Sequence, residues 1–81
     1  MKIEVRLYAT LARFSPSGSS GRTFTMELPE GAALYDLIEM LKLPREEVKL
    51  PFVNAVYQEL SFVLQDGDEV GIFPPVGGGC A

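Results

Sequence analysis

Near its C-terminus the chain carries the stretch that decides its fold, Gln65-Asp66-Gly67-Asp68-Glu69-Val70-Gly71-Ile72-Phe73-Pro74-Pro75. The first four residues are strong turn formers. The next five are typical of a β-strand, with Val70 and Ile72 on one face. Two prolines then end regular pairing, because proline has no N–H to donate to a neighbouring strand. The stretch therefore predicts a turn followed by a final strand that ends at the prolines.

Two further strands are predicted in the N-terminal third of the chain. Residues 2–7 alternate strictly between polar and apolar, and residues 23–28 do so again. Between them, residues 15–21 contain only serine, proline and glycine, which predicts an exposed loop. We expect the two strands to form a hairpin with a long connection. If the first and last strands of the chain are central neighbours in a sheet, they run parallel.

A helix is expected near Ala32–Lys42, because its apolar residues recur at helical spacing. Pro44 ends it, and residues 44–48 are expected to form one more helical turn. Residues 52–57 are rich in strand formers. The order strand, strand, helix, strand, strand predicts an α+β fold in which one main helix packs on one face of a mixed sheet. The helical stripe Leu34, Leu37, Ile38 and Leu41 should face Ile3, Val5, Leu7, Val70 and Ile72.

Length and composition limit the classes of protein that this chain fits. With 81 residues it is expected to be one domain, and 47% hydrophobic residues are typical of a globular one. The net charge of −4 argues against a nucleic-acid partner, which would need a basic surface. No stretch approaches the roughly 20 apolar residues that span a bilayer, and no secretory signal is recognised. We therefore expect a cytoplasmic protein with no membrane partner.

The chain is poorly equipped for catalysis by itself. It has no histidine, the commonest general base and metal ligand, and its one cysteine, Cys80, cannot form an intramolecular disulfide. A self-contained zinc site or serine–histidine–aspartate triad cannot be built from these residues. We expect no bound metal or cofactor and no enzyme activity of the isolated chain.

The C-terminus ends in Val76-Gly77-Gly78-Gly79-Cys80-Ala81. Three consecutive glycines are hard to explain by packing, because glycine buries no side chain and loses much conformational entropy when ordered. Taken alone, they are equally consistent with a disordered terminus. We expect residues 1–76 to form the domain and residues 77–81 to form a flexible tail. From Val76 to Gly79 an extended tail reaches about 13 Å, enough to enter a narrow channel in a partner.

The sequence that precedes the tail suggests a function for it. Residues 64–79, with Asp66-Gly67-Asp68-Glu69-Val70 followed by Phe73-Pro74-Pro75-Val76 and the glycines, resemble the C-terminal signature of the small subunit of molybdopterin synthase. Residues 1–12 resemble that family's first strand, and Val53-Asn54 resembles its third-strand motif. The related thiamine-pathway sulfur carrier is similar, but the Phe-Pro-Pro-Val exit favours the molybdopterin branch.

This resemblance implies a ubiquitin-like β-grasp fold and a sulfur-carrier function. In the family, a partner resembling ubiquitin-activating enzymes uses ATP to adenylate the terminal glycine carboxylate. A sulfur donor then converts it to a thiocarboxylate. The large synthase subunit, or another sulfur-accepting enzyme, receives the sulfur. By resemblance, Gly79 is the attachment site, Gly77 and Gly78 belong to the tail, and residues 73–76 (Phe73, Pro74, Pro75, Val76) contact partners.

The sequence departs from this pattern after Gly79. The family's mature chain ends in Gly-Gly, whereas Cys80-Ala81 follow here, so Gly79 has no free carboxylate. One explanation is that a protease removes the two residues by cutting between Gly79 and Cys80. Some family members are trimmed in this way by a metalloprotease. Alternatively, Cys80 carries a persulfide or attacks the Gly79 carbonyl to form a thioester, or the extension is inert and the protein is a binding module.

Several alternatives stay open at the level of sequence. Phe73 is either an exposed docking anchor or the cover of a second apolar patch under the loop of residues 15–21. Asp66 and Asp68 are interpreted as turn formers rather than a catalytic pair. Arg6 and Arg13 are interpreted as solvated surface rather than as partner-binding groups. The function itself has an alternative, a ubiquitin-like protein modifier or adaptor joined to a lysine through Gly79, since both roles need the same activated glycine.

Overall fold

A computed structural model describes residues 1–16, 18 and 21–74. Over these residues one five-stranded mixed sheet carries one α-helix, with the strands in the order β2-β1-β5-β3-β4. The bounds are β1 (Lys2–Leu7), β2 (Phe24–Glu27), α1 (Leu34–Leu41), β3 (Leu50–Val53), β4 (Val56–Tyr57) and β5 (Glu69–Phe73). Two 3₁₀ segments, Ala9–Phe14 and Arg45–Glu47, complete the chain order. The α+β architecture expected from the sequence is confirmed.

The first and last strands lie side by side at the centre of the sheet and run parallel, with Val5 opposite Val70 and Leu7 opposite Ile72. The turn before β5 ties them together. The Asp66 carboxylate accepts the Lys2 N–H at 2.7 Å, and the Asp68 carboxylate accepts the Gln65 N–H at 2.8 Å. Both aspartates are therefore turn formers, as the sequence predicted.

The helix is shorter than the predicted range because its ends are capped inside that range. At the start, the Asp36 carboxylate accepts the Ala33 N–H at 2.8 Å, and the carbonyls of Phe62 and Leu60 accept the N–H groups of Leu34 and Tyr35 at 2.9 Å each. At the end, Lys42 adopts a left-handed conformation (φ 58°) that closes the last turn.

One hydrophobic core lies between α1 and the sheet. The predicted core residues of β1, β5 and α1 are buried in it, with one exception. Leu41 of the helical stripe is only half-buried, at the edge of the core. The largest fully buried side chains are Ile3, Val5, Leu7, Leu11, Leu34, Leu37, Ile38, Leu64, Val70 and Ile72. Because every second residue of the central strands points into this core, the residues between them point to the other side of the sheet.

The prediction of a single strand over residues 52–57 was wrong. Pro51–Val53 and Val56–Tyr57 belong to two short antiparallel strands, joined by a tight turn in which Asn54 and Ala55 have φ values of 51° and 69°. Strand-forming residues surround this turn and it contains no glycine or proline, so the sequence carries little signal for it. Among the described residues, no helix is long and apolar enough to cross a membrane.

Candidate functional site

The face of the sheet opposite α1 is open, and we call it the open face. It is formed by the residues that alternate with the core residues of the central strands. Its β1 side is charged, with Glu4 and Arg6, whereas its β3–β4 side is apolar. The open face is therefore divided into a polar half and an aromatic half.

Four aromatic side chains, which we call the aromatic row, cross the strands on this face. The Tyr8 and Phe73 rings are stacked with their centroids 4.2 Å apart and their planes 4° from parallel. Phe73 contacts Phe52 edge-on at 5.7 Å, and Phe52 contacts Tyr57 edge-on at 6.1 Å. These are favourable geometries for aromatic pairs. The row begins beside the end of β5 and finishes at Tyr57, which is 53% exposed.

A groove of about 550 Å³ lies on the open face next to this row. It exists because Gly71 has no side chain: its neighbour on β1 is Arg6 and its neighbour on β3 is Phe52, so the surface sinks between them. Tyr8 and Phe73 line the same groove. A groove with apolar walls and a few charges is suited to binding a partner's side chains.

Of the charged side chains beside the groove, some form hydrogen bonds or ion pairs and others do not. Glu4 and Glu69 are direct neighbours on the parallel central strands, both are exposed, and neither is in an ion pair within the described part of the chain. Arg6 Nε donates a hydrogen bond to Thr23 Oγ1 at 2.7 Å. Arg13 lies elsewhere and pairs with Glu47 at 3.2 Å. Both arginines make local surface contacts, and Arg6 also lines the groove.

Phe73 lies at the edge of the open face, and its two alternative roles stay predictions. The ring is half-buried, lines the groove and is stacked on Tyr8. Tyr8 in turn lies against Gly21, the last residue of the predicted loop. Phe73 therefore presents part of its surface to the groove, and Tyr8 lies between it and the end of this loop.

Of the other predicted site residues, only Pro74 lies within the described part of the chain, and it is buried. Pro75, Val76, Gly77, Gly78, Gly79 and Cys80 lie outside the described residues, as does the predicted tail as a whole. The predicted boundary of the tail and the role of Gly79 thus stay predictions.

Sequence reasoning missed the groove residues Tyr8, Phe52 and Gly71, and also Tyr57 at the end of the aromatic row. The alternation of side chains along β1 could have identified Tyr8, because it continues the series Lys2, Glu4 and Arg6 and so lies on the open face. The others could not be assigned to one site without the register between β5 and β3. Among the described residues, no three potential metal-ligating side chains are grouped to hold an ion.

A mixed sheet with parallel central strands, one helix across one face and a glycine-rich C-terminus defines the ubiquitin-like β-grasp class. The chain belongs to the Mut7-C ubiquitin family, whose model matches residues 1–77. A comparison with curated protein sequences finds no significant match.

Solved structures agree with the β-grasp fold. The chain is similar to a putative molybdopterin converting factor, subunit 1, from Pyrococcus furiosus, with 36% identity, a TM-score of 0.69, and 94% of this chain and 99% of that chain covered. SAMP1 from Haloferax volcanii is 21% identical, with a TM-score of 0.71 and coverages of 95% and 98%. A chain from the complex of subunits 1 and 2 of molybdopterin-converting factor from Helicobacter pylori is 24% identical, with a TM-score of 0.61 and coverages of 94% and 96%. The latter two likenesses show the fold alone.

Proposed function

We propose that the chain is a non-catalytic sulfur carrier that docks through its open face and works through Gly79. One observation carries the proposal: β5 ends at Phe73, whose ring lines the groove and which directly precedes the prolines and glycines of the C-terminus in the sequence. A docking surface beside the last residue of β5 supports this role, because a partner seated there would lie near the start of the tail. The 36% identity to a putative molybdopterin converting factor subunit supports the same role.

The chemistry follows from the reactivity of a carboxylate. After removal of Cys80-Ala81, the Gly79 carboxylate attacks the α-phosphorus of ATP in an adenylyltransferase partner, and pyrophosphate leaves. A sulfur donor then displaces AMP from the acyl-adenylate, which leaves a thiocarboxylate on Gly79. The thiocarboxylated chain delivers this sulfur to a large synthase subunit or another sulfur-accepting enzyme, which uses it to make molybdopterin or a related product. ATP is bound by the partner, and this chain contributes the docking face and the tail.

Processing is the first test of this proposal. Adenylation needs a free α-carboxylate, and in the unprocessed chain that group lies two residues beyond Gly79, about 7 Å along an extended backbone. We expect a chain ending at Gly79 to be adenylated and thiocarboxylated by the adenylyltransferase of the source organism with ATP and sulfide, and the 81-residue chain not to be.

The readout is the intact mass of both chains after the reaction, which detects the exchange of one oxygen for one sulfur. A Gly79→Ala change in the shortened chain serves as the control, because a methyl group should collide in a channel shaped for glycine. Equal thiocarboxylate formation on Ala81 of the unprocessed chain would contradict the need for processing. Absence of product from both chains would contradict the carrier function.

A protein modifier is the second candidate function. It is favoured by the fold shared with SAMP1, the small archaeal modifier protein 1 of Haloferax volcanii. It requires the same activated Gly79 but ends in an isopeptide bond with a lysine amine. Incubating the adenylated chain with a lysine-bearing acceptor protein separates the two roles. A covalent product of summed mass favours the modifier, whereas a stable thiocarboxylate with no such product favours the carrier.

A further inference from the structure

The groove at Gly71 is bordered by carboxylates at one end and by aromatic rings at the other. Along β5, Glu69 precedes Gly71 and Phe73 follows it, and all three line the groove. Across the strands, Glu4 of β1 lies opposite Glu69, and Phe52 of β3 lies opposite Gly71. The groove therefore combines two carboxylates with aromatic rings at its far end and along its β3 side.

Glu4 and Glu69 form a pair of like charges. They are direct partners on parallel strands that lie about 4.8 Å apart, and both side chains are exposed. Like charges in directly opposed positions destabilise a sheet. Among the described residues, the only ion pair joins Arg13 to Glu47, so no cation of this part of the chain neutralises the two carboxylates.

Arg6, the cation that lines the groove, is bonded on the side away from β5. Its Nε donates to Thr23 Oγ1 at 2.7 Å, and Thr23 directly precedes β2, which lies across β1 from β5. Arg6 forms no ion pair with either glutamate. Because two carboxylates and one guanidinium group line the groove, its charge favours a cation from outside.

The aromatic lining selects the kind of cation. The rings of Tyr8, Phe52 and Phe73 line the groove, and a cation is attracted to the face of such a ring. A guanidinium group is planar and weakly hydrated, stacks on aromatic rings and pairs with carboxylates through two hydrogen bonds at once, whereas an ammonium group is strongly hydrated. With a volume of about 550 Å³, the groove has room for a long side chain and its apolar stem.

We propose that this groove binds an arginine side chain of the adenylyltransferase, with the guanidinium group against the aromatic rings and paired with Glu4 and Glu69. The inference rests on the proposed function, in which a partner docks on the open face, and it names the side chain that the partner presents there. The bound guanidinium group relieves the repulsion between the two carboxylates. The glutamate pair thus costs stability in the free domain and contributes affinity in the complex.

The first test uses the free 81-residue chain and needs no partner. Amide chemical shifts are followed by NMR while N-acetyl-L-arginine amide is added at constant low ionic strength. We expect saturable shifts centred on Glu69, Gly71 and Phe73. The affinity should be about fivefold higher than for N-acetyl-L-lysine amide. It should be about tenfold higher than for N-acetyl-L-norleucine amide, which has an apolar stem but no charge.

Variants of the free chain assign the binding to the groove. Glu4→Gln and Glu69→Gln keep the shape of each side chain and should each weaken binding of the arginine compound about threefold. Phe52→Leu should remove the preference for arginine over lysine. Glu39→Gln, which changes an exposed glutamate on α1, is the matched control and should have no effect. Shifts that do not saturate, or equal binding of the norleucine compound, would overturn the inference.

The second test uses the chain ending at Gly79 with the adenylyltransferase of the source organism. Calorimetry should show that Glu4→Gln and Glu69→Gln each weaken Kd about tenfold at low salt and less in about 1 M salt, whereas Glu39→Gln leaves Kd unchanged. Equal Kd values for the parent chain and both glutamate variants of the groove would overturn the inference. Failure of the proposed function is distinct, because the parent chain would then form no thiocarboxylate, while the arginine-selective shifts of the free chain would persist.

Discussion

The side-chain amide of Asn54 donates to the Asp68 carboxylate at 3.1 Å, which joins the β3–β4 turn to the turn before β5. The same side chain accepts the Glu69 N–H through Oδ1 at 3.0 Å, and the Asn54 backbone N–H donates to the Glu69 carbonyl at 2.7 Å. Residues 54 and 68 are thus two ends of one network that fixes the start of β5. This network therefore determines where the last strand of the sheet begins.

Asn54→Ala should lower the free energy of unfolding by about 1–2 kcal/mol, because two side-chain hydrogen bonds are lost and alanine is less tolerant than asparagine of a φ of 51°. Urea unfolding followed by circular dichroism measures the change. Gln65→Ala is a matched control, because the Gln65 backbone N–H, and not its side chain, bonds Asp68. A loss of stability in Gln65→Ala as large as that in Asn54→Ala would argue against a specific Asn54 network.

Ala55→Gly should raise the free energy of unfolding by about 0.5–1 kcal/mol. Ala55 has a φ of 69° in the second central position of the β3–β4 turn, where a Cβ atom is unfavourable and glycine is preferred. The gain is limited because glycine also increases the entropy of the unfolded chain. Thermal unfolding should show a higher Tm for Ala55→Gly and a lower one for Ala55→Val.

Gly71→Val should block docking while the domain stays folded. Valine is a good strand former, and an added Cβ would meet only Tyr8 Cε2 at 3.5 Å, an ordinary contact, so the extra methyl groups extend into the groove. We expect at least a tenfold weaker Kd for the adenylyltransferase by calorimetry, with an unchanged or higher Tm. Met40→Val places valine on the exposed side of α1, away from the open face, and should leave Kd unchanged; equal weakening by both variants would place docking elsewhere.

Glu69→Gln should stabilise the free domain by about 0.3 kcal/mol at low ionic strength, because it removes the repulsion between neighbouring like charges on β1 and β5. The gain should disappear in about 1 M salt, where exposed charges are screened. Chemical unfolding at both salt concentrations measures the difference. Glu59→Gln changes an exposed glutamate outside the sheet and should show no salt-dependent gain; a gain as large as that of Glu69→Gln would point to net charge rather than the pair.

The sequence by itself determined the elements with strong periodicity and the composition of the tail. Alternation at Ile3, Val5 and Leu7 and helical spacing at Leu34, Leu37 and Ile38 follow from the repeats of strand and helix, which are local properties. The consecutive glycines 77–79 and the absence of histidine are likewise readable without coordinates. By contrast, the Asn54-Ala55 turn escaped prediction because its left-handed residues are not glycines and the hydrogen bonds that hold it come from Asp68 and Glu69.

Only the tertiary structure decided where the site lies. Tyr8 and Phe73 are 65 positions apart, and nothing local to either predicts that their rings are stacked; the parallel register of β1 and β5 places them together. Gly71 similarly becomes the base of a groove only because Arg6 and Phe52 flank it on neighbouring strands. Periodicity tells which face of a strand a side chain occupies, whereas the identity of its neighbour depends on strand order and register, which long-range packing sets.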